Sequence, residues 1–474
     1  MRITRRFTFL FSSVLALGMS FIFAQPPVGA ASCKGGIIFK SYCIGPGANL
    51  KGANLTGANL PNVNLTGANL TSANLSSARL WGAKLNGANF KGANLKNLGS
   101  GSISGIPVNL PTGWSLRSGY LVGPWASLWG ANLKGANLKG VNLTDANLYQ
   151  ANLIGANLTG ALLDRAVISS ADLTGSNFSG VRLTNALLAN SNLNGLSSGS
   201  ITGLPANLPA GWKLLGGYLI GSGANLAGAN LSNTNLKGVN LNRVKLAGAK
   251  LLNVSSGSIS GVPASLPTGW VLLGGYLIGP SANLAGVDLS GANLAGVDLA
   301  GTHLAYTNIS GANLSGANFV GADLYRLRSG SVRGVPAGLP TGWVLLGGYL
   351  VGSGADLTGA DLTGADLGAM NLQSVNFTGA FLSGASLFHA NLIGVNLSSA
   401  YLYQADLTGA DLATANLTNA VLTDAILRDA NLSLANLTGA DIYGVFARGA
   451  FFGGATCPNG TKYGRTGADC PRVS

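Results

Sequence analysis

Apolar residues recur along this chain with a period of five. From 355 to 454 the pattern runs for 20 consecutive pentads, and the first of them reads Ala355-Asp356-Leu357-Thr358-Gly359. On an α-helix a step of five residues would turn the Leu by about 140°, so no apolar stripe could form. In an extended strand, Ala and Leu point to one side and the Asp between them points to the other. The pattern therefore predicts short strands and excludes a long helix.

The last residue of most pentads is Gly, Ser or Asn. These residues are favoured in turns, and Gly accepts backbone conformations that are closed to other residues. A corner is therefore expected at every fifth residue. Corners at this spacing coil the chain.

The repeated motif Ala-Asn/Asp-Leu-Thr/Ser-Gly resembles the pentapeptide-repeat family. The resemblance covers nearly all of the chain that follows the first 47 residues. It implies an all-β fold, a right-handed quadrilateral β-helix with four pentads in each coil and with Leu and Ala inside. Because one fold can carry several unrelated roles, the resemblance predicts the fold and leaves the function open.

Four segments interrupt the repeat, and we call them the Trp blocks. Pentads occupy 48–97, 126–195, 224–253, 282–326 and 355–454, and the blocks occupy 98–125, 196–223, 254–281 and 327–354. Each block has 28 residues with the core Leu-Pro-x-Gly-Trp-x-Leu-x-x-Gly-Tyr-Leu, and the tryptophans are Trp114, Trp212, Trp270 and Trp343. Because the pentad frame resumes after every block, we interpret 48–456 as one solenoid. Each block is predicted to be a distorted coil with a bulge or short hairpin, its Trp packed inward or over a coil edge; an exposed Trp and Tyr ligand platform is the alternative.

The N-terminal segment, 1–30, has the features of an export signal. Arg2, Arg5 and Arg6 precede an apolar run at 7–23, and small residues end the segment at Ala30. We expect the mature chain to begin near residue 31 and to be secreted, periplasmic or on the cell surface. The alternatives are an uncleaved segment that anchors the chain in a membrane, and lipidation of Cys33.

The four cysteines lie outside the array. Cys33 and Cys43 belong to a predicted N-terminal cap, 31–47, and Cys457 and Cys470 to a C-terminal cap, 457–474. Pairing Cys33 with Cys43 and Cys457 with Cys470 would staple the coil ends, where a β-helix exposes unpaired backbone groups. It is the connectivity that needs no contact between the two ends of the rod. A metal site is the competing interpretation, and we predict neither metal nor cofactor.

No constellation of residues typical of an enzyme is visible. The chain has no Glu, and its two histidines, His303 and His389, take outward pentad positions 86 residues apart. Ser and Asp are abundant, but the repeat itself requires them, so no triad can be singled out. We therefore predict a non-enzymatic protein.

The formal charge of +13 is unevenly distributed. Residues 31–250 hold 17 basic and 3 acidic side chains, whereas 251–474 hold 8 and 12. A basic face is predicted from five outward residues, Lys51, Arg79, Lys84, Lys91 and Lys96. Such charge favours an anionic cell-wall polymer or acidic glycan as partner, with simple solvation as the alternative.

Two other partners are disfavoured. The basic residues lack the dense aromatic-basic cluster expected for nucleic-acid binding. Some members of the family resemble DNA and present an acidic rod to type II topoisomerases, and the basic charge of this chain argues against that role.

Positions 20 apart should stack, which predicts a flat Asn/Thr face in the C-terminal array. Its columns are Asp356, Asn376, Asn396, Asn416 and Asn436, and Thr358, Thr378, Ser398, Thr418 and Thr438. The face is similar to the Thr arrays of ice-binding β-helices and could also lie along a polysaccharide. The alternative is that stacked Asn and Thr only stabilise one another.

The adjacent face breaks this polar pattern, and we call it the aromatic face. Its distinctive residues are Phe381, Tyr401, Tyr403, Val421 and Tyr443. An exposed aromatic patch is typical of a partner surface, here for a glycan or a protein. The alternatives are self-association of the chain and simple tolerance of exposed aromatic residues. The sequence thus predicts an exported structural or adhesive scaffold at the cell surface, with ice or carbohydrate binding by the Asn/Thr face as the alternative.

Overall fold

The computed structural model describes Cys33 and residues 35–463, and these residues contain no helix. The predicted export signal, its cleavage point and Cys470 lie outside the described residues.

The middle residue of each pentad pairs in parallel with the residue 20 positions later. Asn49 pairs with Asn69, and Asn376 pairs with Asn396 in the C-terminal array. Since 20 residues are four pentads, each coil has four sides, and the predicted quadrilateral β-helix is confirmed. We call the four sides faces A, B, C and D, in the order in which the chain passes Asn59, Asn64, Asn69 and Asn74.

The corners follow the predicted turn chemistry. The N–H of Ala53 donates to the carbonyl of Leu50 at 3.0 Å and closes the first turn. Gly52, Asn62 and Ser72 stand at corners with φ of 68°, 56° and 56°. This left-handed conformation costs Gly nothing and is tolerated by Asn, which explains the residues that end the pentads.

Inward Leu and Ala side chains form the core. Leu55 and Leu397, for example, have no exposed surface, and Phe377 takes an inward Leu position without being exposed. Full burial of a side chain of this size contributes about 1.5 to 3 kcal/mol, so the repeated pattern itself stabilises the coils.

Twelve strands of three residues are assigned in the described part of the chain. They are β1 (Ile37–Phe39), β2 (Tyr42–Ile44), β3 (Arg79–Trp81), β4 (Gly99–Gly101), β5 (Ser115–Arg117), β6 (Tyr120–Val122), β7 (Lys213–Leu215), β8 (Tyr218–Ile220), β9 (Val271–Leu273), β10 (Tyr276–Ile278), β11 (Val344–Leu346) and β12 (Tyr349–Val351). Strands β3 and β4 are parallel neighbours on face A. The others form five antiparallel hairpins, β1–β2, β5–β6, β7–β8, β9–β10 and β11–β12.

Each Trp block contains one hairpin, which is one of the two forms predicted for it. The turn between β9 and β10 is Gly274-Gly275, with φ of 57° and 80°, as expected for a primed turn of two residues. Across the first block, Gly99 pairs with Ser127, 28 residues later instead of 20. A block is therefore one coil with a hairpin inserted. The bridges place the four hairpins on faces D, B, D and A in turn, so the blocks do not line up on one side of the rod.

The hairpins lie across the interior and divide the core. Leu121 and Val122 are neighbours on β6, yet Leu121 packs in the core of residues 44–121 and Val122 in that of 122–219. Successive residues of a strand point to opposite sides, so one hairpin faces two cores. Further divisions fall between 219 and 220, 277 and 278, and 350 and 351. Each hairpin is thus a plate between two compartments.

The Trp of each block joins the two compartments that its plate separates. Trp270 is half-buried and packs against the cores on both sides, as Trp114, Trp212 and Trp343 do at their plates. A Cβ on Gly279 would lie 2.4 Å from the Trp270 indole, so only Gly fits beneath the ring. These side chains pack over the coil as predicted and do not form the alternative exposed platform.

A serine holds each plate in place. Ser100 occupies an inward Leu position, is fully buried, and its Oγ accepts the Leu121 N–H at 2.9 Å. Ser198, Ser256 and Ser329 accept the N–H of Leu219, Leu277 and Leu350 in the same way. The sequence carried a signal for this role, because every block has the triplet Ser-Gly-Ser at its third to fifth positions.

The N-terminal hairpin repeats the design of the internal plates. The hydroxyl of Tyr42 in β2 accepts the Asn54 N–H, just as the Tyr120 hydroxyl in β6 accepts the Asn132 N–H. The predicted Cys33–Cys43 disulfide is present at this end. At the other end Cys457 is buried, and its predicted partner Cys470 is outside the described residues.

Candidate binding surfaces

The aromatic face lies on face C of the C-terminal array. Asp361, Phe381, Tyr401, Val421 and Asp441 pair successively, so they form one column as predicted. The Phe381 and Tyr401 rings are stacked, with centroids 5.1 Å apart and planes 5° from parallel. Each of these two side chains is 45% exposed. A flat aromatic pair therefore faces solvent where the repeat usually places Asn or Asp.

The second column of this face adds two separated rings. Backbone hydrogen bonds from Gly384 to Tyr403 and from Asp424 to Tyr443 place these tyrosines two coils apart, with Thr423 between them. Tyr403 is 43% exposed and Tyr443 is 66% exposed. The Thr423 hydroxyl donates to Asp441 at 3.0 Å and is held down between the rings.

Carboxylates close the aromatic column at both ends. The hydroxyl and the N–H of Thr363 hold the pKa of Asp361 below its ordinary value. Asp441 accepts the Tyr443 N–H at 3.1 Å. An apolar patch between two acids suits a neutral or basic partner better than an anionic one.

The Asn/Thr face lies on face B, and its side chains bond to one another. The amides of Asn376, Asn396 and Asn416 each donate to the side-chain oxygen one coil earlier, at 2.9 to 3.1 Å. The hydroxyls of Thr358, Thr378, Thr418 and Thr438 donate to the Asp or Asn two residues before them. These donors are therefore used within the solenoid. This agrees with the alternative prediction, in which stacked Asn and Thr stabilise one another.

The five residues of the predicted basic face are exposed but do not share one face. Arg79 lies on face A and Lys84 on face B. Lys51 and Lys91 share face C, with Thr71 between them, and Lys96 lies on face D. The prediction of a single basic face is therefore wrong, because outward positions five residues apart point in different directions. The positive charge surrounds the rod instead.

A group of exposed tryptophans on face A was not singled out from the sequence. Trp81 and Trp129 are 41% and 61% exposed and stand on either side of Gly101. Trp125 is 41% exposed at the neighbouring corner, and Lys96 Nζ lies 4.2 Å from its ring centroid. A column counted in steps of 20 leads from Trp81 to position 121 and misses Trp129. The 28-residue step across the block was the signal that would have found it.

Three further observations, on metal ligands, membrane-spanning helices and ion pairs, concern the described residues, 33 and 35–463. They contain no group of three or more His, Cys, Asp or Glu side chains placed to hold a metal ion. Within the same residues, no helix has the length and apolar character needed to cross a membrane. Their two ion pairs join Arg165 to Asp145 and Arg182 to Asp164.

The fold makes this chain a β-solenoid protein. A family model of pentapeptide repeats, eight copies long, matches 48–80, 73–98, 125–160, 166–197, 222–254, 282–326, 353–387, 382–419 and 415–454, which together exceed half of the chain. The chain belongs to the pentapeptide-repeat family, and its fold is the right-handed quadrilateral β-helix. No curated protein matches it.

Three of the solved structures that this chain is similar to are the following. One from the Arabidopsis thaliana thylakoid lumen is 41% identical over 20% of this chain and 66% of that chain, with a TM-score of 0.20. HetL from the cyanobacterium Nostoc sp. strain PCC 7120, involved in heterocyst differentiation regulation, is 22% identical over 87% and 94%, with a TM-score of 0.11. QnrB1, a plasmid-mediated fluoroquinolone resistance protein, is 19% identical over 36% and 78%, with a TM-score of 0.19.

Proposed function

We propose that this chain is an exported, non-enzymatic scaffold that binds a glycan or protein at the cell surface or in the periplasm through its aromatic face. The observation that carries the proposal is the stacked, half-exposed pair of Phe381 and Tyr401. Exposed aromatic surface is costly to leave in water and marks partner surfaces. A rigid coil holds the two rings in place, so little side-chain freedom is lost when a partner covers them.

Charge adds a weaker, less directional attraction. The excess of basic residues in 31–250 surrounds the rod and would draw it towards anionic polymers of the envelope. This part of the proposal predicts binding that weakens as salt rises, because exposed charges are screened over about 10 Å at 0.1 M salt. The aromatic face predicts binding that salt hardly changes.

The test is binding of residues 31–474 to isolated cell envelopes and to a glycan panel, with and without the double substitution F381N/Y401N. Asn suits these positions, because an Asn here accepts the N–H two residues later throughout the array, as Asn376 does from Thr378. The variant should therefore fold normally by circular dichroism and lose the salt-insensitive binding. Unchanged binding by the folded variant would overturn the role of this face.

The matched control is Phe388→Asn. Phe388 is also 45% exposed but stands on face D, away from the stacked pair. Its replacement removes a similar apolar area and should leave binding intact. Equal losses in both variants would indicate general stickiness rather than a defined surface.

The alternative of ice or carbohydrate binding by the Asn/Thr face gains no support from the geometry. The Thr hydroxyls and three of the Asn amides already donate to their neighbours. Thermal hysteresis of the intact chain would be the direct sign that this surface binds ice nevertheless.

A further inference from the structure

A cleft on face A lies where the first Trp block joins two compartments. Arg79, Gly99 and Ser127 occupy three consecutive coils of one column. In the neighbouring column Trp81 and Trp129 stand on the outer two coils, with Gly101 on the middle one. The cleft has a volume of about 480 Å³.

Gly99 of β4 lies on the floor of this cleft, and Gly101 of the same strand lies beneath the Trp81 ring. A Cβ on Gly101 would lie 2.7 Å from the Trp81 ring, so the indole lies against bare backbone. Coils stack about 4.8 Å apart, so Trp81 and Trp129 are separated by roughly 10 Å along the axis. Because the Trp81 ring already covers Gly101, the room for a flat ring is over the two indoles, in the cleft that Gly99 and Ser127 also line. Tyr149, 38% exposed, continues the aromatic row one coil beyond Trp129.

The groups around the floor are polar and positively charged. Arg79, Asn97 and Ser127 line the cleft together with the indoles. Lys96, beside Asn97 in the chain, is held over the Trp125 ring at the rim. No acidic residue occurs between 35 and 144, and the first one, Asp145, is paired with Arg165 at 2.6 Å. Arg79 therefore gives the cleft a positive charge that no carboxylate in this stretch neutralises.

We propose that this cleft binds an acidic oligosaccharide. The faces of indoles carry negative charge density and attract the polarised C–H groups of a sugar ring. Amide and hydroxyl groups such as Asn97 and Ser127 bond to ring hydroxyls. Arg79 supplies a planar fork that matches a sugar carboxylate or sulfate. The site is separate from the aromatic face, whose ends carry Asp361 and Asp441.

The experiment titrates the folded protein with oligogalacturonate, following indole fluorescence and heat of binding. The uncharged oligosaccharide of the same length and single-stranded DNA are titrated in parallel. We expect the acidic saccharide to bind at least about tenfold more tightly than the neutral one, and its affinity to fall with salt. No binding up to about 5 mM, or tighter binding of DNA than of saccharide, would overturn the proposal.

Two variants locate the site and one serves as control. Trp129→Ala should weaken binding of the acidic saccharide about tenfold or more, since it removes one wall from an exposed position. Arg79→Gln should remove the preference for the acidic over the neutral saccharide. Tyr306→Ala, a 66% exposed aromatic away from the cleft, should change neither. An unchanged affinity in Trp129→Ala would place the ligand elsewhere.

This test is independent of the function proposed for the aromatic face. The F381N/Y401N variant should bind oligogalacturonate like the unmodified chain. Loss of saccharide binding in that variant alone would assign the saccharide to face C of the C-terminal array and overturn the cleft.

Discussion

The two regions of this solenoid, 48–354 and 355–454, are built from the same pentad but differ in how their cores connect. From 48 to 354 four plates divide the interior, and the Trp of each plate packs against the cores on both sides of it. From 351 to 455 one core continues without a plate. In a solenoid each repeat is coupled to its neighbours alone. The comparison therefore shows where coupling is continuous and where it depends on a few side chains.

The largest effect is expected where the two kinds of architecture meet. Trp343→Ala removes the side chain that packs against both the C-terminal core and the compartment before it. Truncation of a packed Trp costs about 3 to 5 kcal/mol. Because the loss falls on the junction, chemical denaturation should change from one transition to two. A single transition with only a lower midpoint would show that the plate couples the two regions even without the Trp side chain.

Leu397→Ala supplies the comparison inside the undivided core. Leu397 is fully buried in the C-terminal array, and its truncation should lower the free energy of unfolding by about 2 to 4 kcal/mol. No plate lies within this core, so we expect that array to unfold in one step with a reduced midpoint. Hydrogen exchange can monitor unfolding along 355–454, and separate transitions there would contradict a continuous core.

A smaller effect should follow from Ser100→Ala in the first plate. The substitution leaves the Leu121 N–H buried without its acceptor, which costs about 1 to 3 kcal/mol. The matched control is Ser104→Ala, an exposed residue in the same block, for which the change should be within about 0.5 kcal/mol. Equal changes in thermal denaturation would mean that the Ser100 hydrogen bond does not hold the plate.

The coil could be predicted from the sequence because every pentad repeats the same local choice. Alternation, corner residues and the period of five all point to one structure, and Asn376 stacks on Asp356 as the count of 20 requires. Phe381 and Tyr401 could be placed for the same reason. Where the pattern holds without interruption, counting residues is enough to assign faces.

The plates could not be placed, because their residues satisfy two patterns at once. Tyr276-Leu277-Ile278 fits a pentad, yet it folds as a hairpin strand with Leu277 and Ile278 in different cores. Antiparallel pairing with β9 decides between the two, and it depends on the Gly274-Gly275 turn. The same detour of the chain hid the stacking of Trp129 above Gly101. The prediction of one basic face failed for a different reason, because counting in steps of 20 already places Arg79 and Lys84 on different faces.

The smallest difference between the two regions is expected in how acid changes the free energy of unfolding, and it depends on Asp164. Burial raises the pKa of this carboxyl, but the hydrogen bond and the positive charge of Arg182 oppose burial, and the pKa lies below its ordinary value of 3.8. A lowered folded pKa stabilises the protein above the unfolded pKa, and this contribution is lost as pH falls through the folded value. Asp361 has a lowered pKa too, but its side chain is exposed and has no cation partner among the described ion pairs. Measured from pH 7 to pH 2, the free energy of unfolding should therefore fall less in Asp164→Asn than in the unmodified chain, whereas Asp361→Asn should follow the unmodified curve closely. Parallel curves for Asp164→Asn and the unmodified chain would mean that solvent screens the pair of Asp164 with Arg182. Acid would then not distinguish the region that the plates divide from the region with one continuous core.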